Sequence, residues 1–212
     1  SFSSSQYFYL WGAQFETGSY ATSYIPTSGG QETRSADACN GSGTSADINS
    51  EEGVLFVEIA ALSDENPDHR RITLSNSTSS NVVRISYDTV SQRIIGVLFN
   101  GANQCVFQAT KSNSTITDVL HFNKVALSYK ENQFKFFING TQFSSTDTSG
   151  TTFSAGTLTE LAFDNGGGGN LFLGKCKQVM NFKTTLTDSE LETLTSWDSF
   201  NAMAKGQLYT IE

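Results

Sequence analysis

Few residues in this chain are spaced for covalent chemistry. His69 and His121 are the only histidines, His69 in an acidic loop and His121 on an apolar stretch, and no Ser lies in a G-x-S-x-G elbow, so no hydrolytic triad is expected. β-Sandwich glycosidases carry two acids close together on one strand face, as in E-x-D-x-x-E. Here Glu58 is followed by Ile59-Ala60-Ala61-Leu62. The run Gly169-Asn170-Leu171-Phe172-Leu173-Gly174-Lys175-Cys176 matches a phosphate loop until its last position, where Cys replaces the magnesium-binding hydroxyl. Leu171-Phe172-Leu173 reads as strand rather than as the turn that opens a helix, which removes nucleotide binding. Gly41-Ser42-Gly43-Thr44-Ser45-Ala46 lacks a following helix and reads as a plain loop. The chain is expected not to be an enzyme.

Binding chemistry has more to offer. Asp64, Asn66 and Asp68 place oxygen ligands at alternate positions, and Asp164 and Asn165 precede four consecutive glycines that let backbone approach a ligand. Calcium is the cofactor these two loops could hold, although His69 stands where an EF-hand needs Gly and no cofactor is required by the reading. Sugars are held by aromatic faces beside short polar side chains on a rigid surface. Tyr87 beside Asp88, Phe99 beside Asn100, and Phe137 are the candidate carbohydrate contacts, as aromatics out of phase with the core face of their strands. Arg84 and Arg93 read as solvated edge charges.

The elements that must position these residues follow from composition. The chain has 212 residues, 37% hydrophobic and only 16% charged, with 16 Phe, 7 Tyr and 18 Gly against 2 Pro and 2 Met. That balance favours many short strands joined by turns, a β-sandwich. A net charge of −8 supplies no basic surface for nucleic acid, and no apolar stretch approaches the length of a membrane span. The start, Ser1-Phe2-Ser3-Ser4-Ser5, carries neither an initiator Met nor a signal sequence, so a fragment of a longer protein is expected. Cys39, Cys105 and Cys176 have no metal-ligand spacing and read as free thiols.

Strands are expected at 6–11, 54–59, 69–75, 82–87, 93–99, 103–109, 119–129, 133–138, 141–145, 157–163 and 170–182. Asn139-Gly140 between alternating runs predicts a type I′ hairpin with Ile138 opposite Thr141 and Phe136 opposite Phe143. Thr187-Asp188-Ser189-Glu190 is a capping box, and Leu186 with Leu191 a hydrophobic staple, so one short helix is expected over 188–197. Residues 12–30 show no sustained period and read as a connector.

Two stretches resemble known families. The segment from Tyr9-Leu10-Trp11-Gly12-Ala13-Gln14-Phe15-Glu16-Thr17-Gly18 through Tyr24-Ile25-Pro26-Thr27 is similar to one that recurs in bacteriophage tail and virion-appendage proteins, where it ends one carbohydrate-binding jelly-roll-like module. Thr33-Arg34-Ser35-Ala36-Asp37, Lys124-Val125-Ala126-Leu127-Ser128-Tyr129-Lys130, Thr146-Asp147-Thr148-Ser149-Gly150 and Leu186-Thr187-Asp188-Ser189-Glu190-Leu191 resemble the concanavalin A-like (laminin-G-like) module of the same proteins. The resemblance departs from the commoner pattern at Cys176-Lys177-Gln178. It implies an all-β, concanavalin A-like jelly-roll sandwich with one short C-terminal helix over residues 33–200, preceded by a terminal strand and connector at 1–32 and followed by a tail at 201–212. It also implies an extracellular, non-catalytic module of a phage tail or virion appendage that attaches to a bacterial surface polysaccharide. Other virion or tail subunits, and further copies of the chain in a homo-oligomer, are then its partners, with no nucleic acid and no membrane insertion. A purely structural tail domain and a secreted bacterial polysaccharide-binding module are the alternatives.

Overall fold

The computed structural model describes residues 41–64 and 68–198, together with Tyr9, residues 12–15 and 24–32, and Ala202. By contacts the chain divides into two units, Ser1–Asp37 and Ala38–Glu212. In the first, the Ile25 amide donates to Gln14 Oε1 at 2.7 Å. Of the strand expected at 6–11 only Tyr9 is described, outside any strand, and residues 33–37 lie outside the described residues.

The second unit is a sandwich of two antiparallel five-stranded sheets. Its strands are β1 (Glu52–Ala61), β2 (Arg70–Ser75), β3 (Asn81–Tyr87), β4 (Arg93–Asn100), β5 (Asn103–Thr110), β6 (Asn123–Lys130), β7 (Gln133–Ile138), β8 (Thr141–Asp147), β9 (Glu160–Ala162) and β10 (Gly174–Phe182). The first sheet runs β10-β1-β6-β7-β8 and the second β5-β4-β3-β2-β9. Alternation sets the core: Leu55, Val57, Ile59, Leu127, Phe134 and Phe136 from the first sheet meet Ile72, Leu74, Val83, Ile85, Ile94, Leu98 and Phe107 from the second. Packing is tight enough to require glycine at one place. A Cβ on Gly96 would lie 2.6 Å from the ring of Phe136, which stacks on Phe107 at 5.6 Å between centroids.

The Asn139-Gly140 turn has φ of +48° and +82°, as a type I′ turn needs, and Ile138 pairs with Thr141 and Phe136 with Phe143. The helix α1 covers Asp188–Thr195, with both halves of the Thr187–Glu190 capping box formed. It lies on the outer face of the first sheet, where Leu191 seals a second apolar cluster with Val54, Phe56, Ala126 and Phe137. Full burial of Leu191 contributes about 2 kcal/mol. The helix stops before Trp197, whose ring instead receives Lys124 Nζ at 4.8 Å from its centroid.

Three strands are shorter than expected, for local reasons. β6 begins at Asn123 because residues 118–122 form a turn, held by Asn123 Nδ2 donating to the Asp118 and His121 carbonyls at 2.9 Å each. β9 shrinks to Glu160–Ala162. β10 begins at Gly174 because Leu171-Phe172-Leu173 is not strand: the Phe172 amide bonds back to the Phe163 carbonyl at 2.8 Å and closes the glycine loop between them. Among the described residues no helix is long and apolar enough to cross a membrane.

Candidate functional site

The strand phase that fills the core also decides what the second sheet presents outward. With Ile72 and Leu74 of β2 turned in, Arg71, Thr73 and Ser75 face out. With Val83, Ile85 and Tyr87 of β3 turned in, Val82, Arg84 and Ser86 face out. On β4 the outer row is Arg93, Ile95, Val97 and Phe99. The pairing register aligns Thr73, Arg84, Val97 and Val106 in one row across the sheet and Arg71, Ser86, Ile95 and Gln108 in the next. Arg71 and Arg84 are therefore diagonal neighbours on one face, within reach of each other's long side chains.

Neither arginine has an acidic partner among the described residues. The Nε atoms of Arg71 and Arg84 are buried with no hydrogen-bond partner, and so is the hydroxyl oxygen of Thr73, whose side chain is wholly buried between them in the lattice of the sheet. Burial pushes the Arg84 guanidinium down to about 10, and the charge of Arg71 pushes in the same direction. Burial also lowers Arg71. Both side chains are half-buried, and taking cations out of water without counter-ions is costly.

The nearby acid is already engaged. Asp88, 2% exposed, is shared between His69, whose Nδ1 lies 3.0 Å from Oδ1, and Arg93, which contacts Oδ2. Burial lowers the His69 pKa, and the charges of Arg71, Arg84 and Arg93 lower it further against the opposing pull of Asp68. Asp88 is thus spent on its own two partners and leaves Arg71 and Arg84 uncompensated among the described residues. Beside β2 runs the loop 164–170. The Arg71 amide donates to the Asn170 carbonyl at 3.2 Å, and a Cβ on Gly166 would lie 2.5 Å from the Thr78 carbonyl oxygen. The loop is fixed from within: Asp164 Oδ1 accepts from the Gly166 amide at 2.6 Å, and Asn165 Oδ1 from the Gly167 and Gly169 amides at 2.9 and 3.0 Å.

This arrangement relocates most of the residues singled out from sequence. Tyr87 is not out of phase. It points into the core, 1% exposed, under the guanidinium of Arg70 and stacked on Phe172, and it offers no ring face to a sugar. Phe137 does face outward but lies beneath α1, wholly buried. Asn100 Nδ2 ties the end of β4 to the loop between β8 and β9 through the Thr152 carbonyl at 2.8 Å. Phe99 is half-buried on the arginine face, paired with Val82, and is the one aromatic of the expected set that shares it. Arg84 and Arg93 are not solvated edge charges: β3 and β4 are interior strands.

The expected calcium ligands do not converge. Asp64 accepts from Ser91 Oγ and from the Gln92 amide at 2.7 Å, Asp68 is exposed, Asn66 lies outside the described residues, and Asp164 and Asn165 bond their own loop. Among the described residues no three His, Cys, Asp or Glu side chains are grouped to hold a metal ion. Cys105 is a free thiol in the core, pushed by burial up to about 12; Cys176 is half-buried, its Sγ donating to the Gln178 carbonyl at 3.3 Å, and Cys39 lies outside the described residues.

Two packed antiparallel sheets with a capped helix on one outer face define a lectin-type sandwich. The sequence matches a family profile described as the concanavalin A-like lectin/glucanases superfamily over residues 61–192, more than half of the chain, and the chain belongs to that superfamily. Among solved structures, the CBM40 module of the Ruminococcus gnavus IT-sialidase bound to α2,3-sialyllactose is 15% identical, with a TM-score of 0.57 over 76% of this chain and 97% of the module. The leech intramolecular trans-sialidase is 18% identical, with a TM-score of 0.55 over 73% of this chain and 24% of that enzyme. A heptameric SAP-like pentraxin from Limulus polyphemus is 10% identical, with a TM-score of 0.55 over 76% of each chain. These likenesses concern the fold. A search of curated proteins returned no significant match.

Proposed function

We propose that the chain is a non-catalytic carbohydrate-binding module that takes a carboxylate-bearing glycan on the outer face of its second sheet, with the half-buried Arg71 and Arg84 on the carboxylate. The observation that carries this is the arginine pair, half-buried, with unpartnered Nε atoms and no acidic partner among the described residues. Guanidinium forks match carboxylates in a plane, and such charge-assisted bonds are about twice as strong as neutral ones. The Ruminococcus gnavus module of like fold is bound to sialyllactose, a sugar that itself carries a carboxylate. Because arginine meets the ligand's charge, binding needs no metal and no cofactor.

The wider setting we propose is an extracellular virion appendage, with an acidic bacterial surface polysaccharide as the target. Its support is the resemblance of the Tyr9–Thr27 segment to phage tail modules. A glycan array run in a chelator, presenting acidic bacterial polysaccharides beside their carboxyl-reduced forms, tests the binding reading. Retention on the acidic forms alone is the expected result. Equal binding to the reduced forms, or binding to none, overturns it.

A further inference from the structure

A sandwich of two open sheets has four edge strands, and three of these are blunted against pairing with another chain. β10 carries Lys175 and Lys177. β8 carries Asp147 and is kinked at Ser144, with φ of +64°, and its pairing to β7 is irregular. β9 is only three residues long, and Ser42 caps its far side through bonds of 3.4 and 2.8 Å to Leu161. Charges, bulges, short strands and covers are the usual devices that keep edges apart.

β5 has none of them over most of its length. Its eight residues, Asn103-Gln104-Cys105-Val106-Phe107-Gln108-Ala109-Thr110, include no charge, no Pro and no Gly, and its outward Val106 is 41% exposed. Its two ends are engaged, Gln104 Oε1 by Thr151 and the Thr110 amide and carbonyl by Asn113 and Ser114 of the following turn. Among the described residues no backbone outside β4 bonds to Cys105–Ala109.

We infer that β5 is a self-association edge that pairs antiparallel with β5 of a second copy and joins the two second sheets into one. A second copy is the occupant that the strand's neutrality fits. A two-fold axis through Val106 sets that residue against itself and Gln104 against Gln108 of the partner subunit, while Lys111 at the strand's end meets Gly101 of the partner subunit. No like charges oppose one another in that register, although the chain as a whole carries −8. From β3 of one copy to β3 of the other there are five inter-strand steps, or about 24 Å at ~4.8 Å per step. The two arginine faces would then lie on one continuous surface, where linkage raises avidity for a polymeric ligand without new contacts. The pairing itself does not depend on what those faces bind.

Light scattering on the chromatographed 212-residue chain tests the inference. The expected mass is twice that of one chain for the wild type and for Gln178→Lys on β10, and that of one chain for Val106→Lys, which places two ammonium groups in register. Val106 is exposed, so the lysine is compatible with the fold. Should that variant lose its circular-dichroism spectrum, Gln108→Lys decides in its place. A wild type of single-chain mass at millimolar concentration, a larger closed assembly, or a dimer that survives the lysine overturns the assignment. Glycan binding by a single-chain species would leave the site reading standing and remove this one.

Discussion

Replacing Arg84 with Met should stabilise the protein while weakening its glycan binding. Arg84 is held charged in a place that disfavours charge: its pKa falls from 12.5 to about 10 through burial and the neighbouring Arg71. At 1.36 kcal/mol per pH unit this corresponds to a ceiling of about 3 kcal/mol. Partial exposure and relaxation of the long side chain discount that figure to about 1 kcal/mol. Met keeps the apolar stem and removes the cation, so the melting temperature should rise by about 2–4 °C. The sign with pH follows from a base whose folded pKa is depressed. The penalty is present in full at all pH below about 10, so the gain should be the same at pH 6 and pH 8. Binding should fall by about 2 kcal/mol, roughly thirty-fold, through loss of charge-assisted hydrogen bonds. Calorimetric melting beside a titration with an acidic oligosaccharide reads both quantities. A lowered melting temperature would mean that Arg84 is a structural residue, and unchanged affinity would remove it from the site.

Two further substitutions probe the frame. Gly140→Val puts a β-branched residue at φ +82°, with its Cβ 2.5 Å from Ser196 Oγ; a loss of about 1–3 kcal/mol is expected in denaturant unfolding, and an unchanged midpoint would show that the turn is not constrained. Asp64→Ala removes a carboxylate that burial would raise but that hydrogen bonds from Ser91 and Gln92 hold below its ordinary 3.8. A depressed acid stabilises above its unfolded pKa and ceases to do so as pH falls through its folded one. The stability deficit of the variant should therefore be larger at pH 7 than near pH 2; a difference independent of pH would contradict the assignment.

Much of the frame is local and therefore readable in the sequence. Asn139-Gly140 fixes its own dihedral angles, Thr187 and Glu190 cap a helix within four residues, and the alternation of Leu55, Val57 and Ile59 names a core face without any partner. The site is different in kind. That Arg71 and Arg84 face outward follows from Ile72, Leu74, Val83 and Ile85, which share the opposite phase, and the same count puts Tyr87 in the core. That the two arginines meet depends on the β2–β3 register and on both strands being interior to the sheet, which no single strand encodes. Phe137 shows the converse: its phase reads correctly as outward, but whether an outward residue meets water or a helix depends on where Leu191 docks, some fifty residues later. The acidic loops mislead because Asp and Asn are as much at home in capping their own turns as in holding cations, and Asp164 and Asn165 do the former.

The most direct test of the central claim is where a carboxylate sugar touches the protein. An amide-resolved NMR titration of the isotopically labelled chain with an acidic oligosaccharide should shift Arg71, Thr73, Arg84 and Ser86 together with the Nε–H signals of both arginines, and the carboxyl-reduced sugar should leave them unmoved. Shifts confined to the other sheet or to the loops at the ends of the sandwich, with the arginine signals unchanged, would contradict the account.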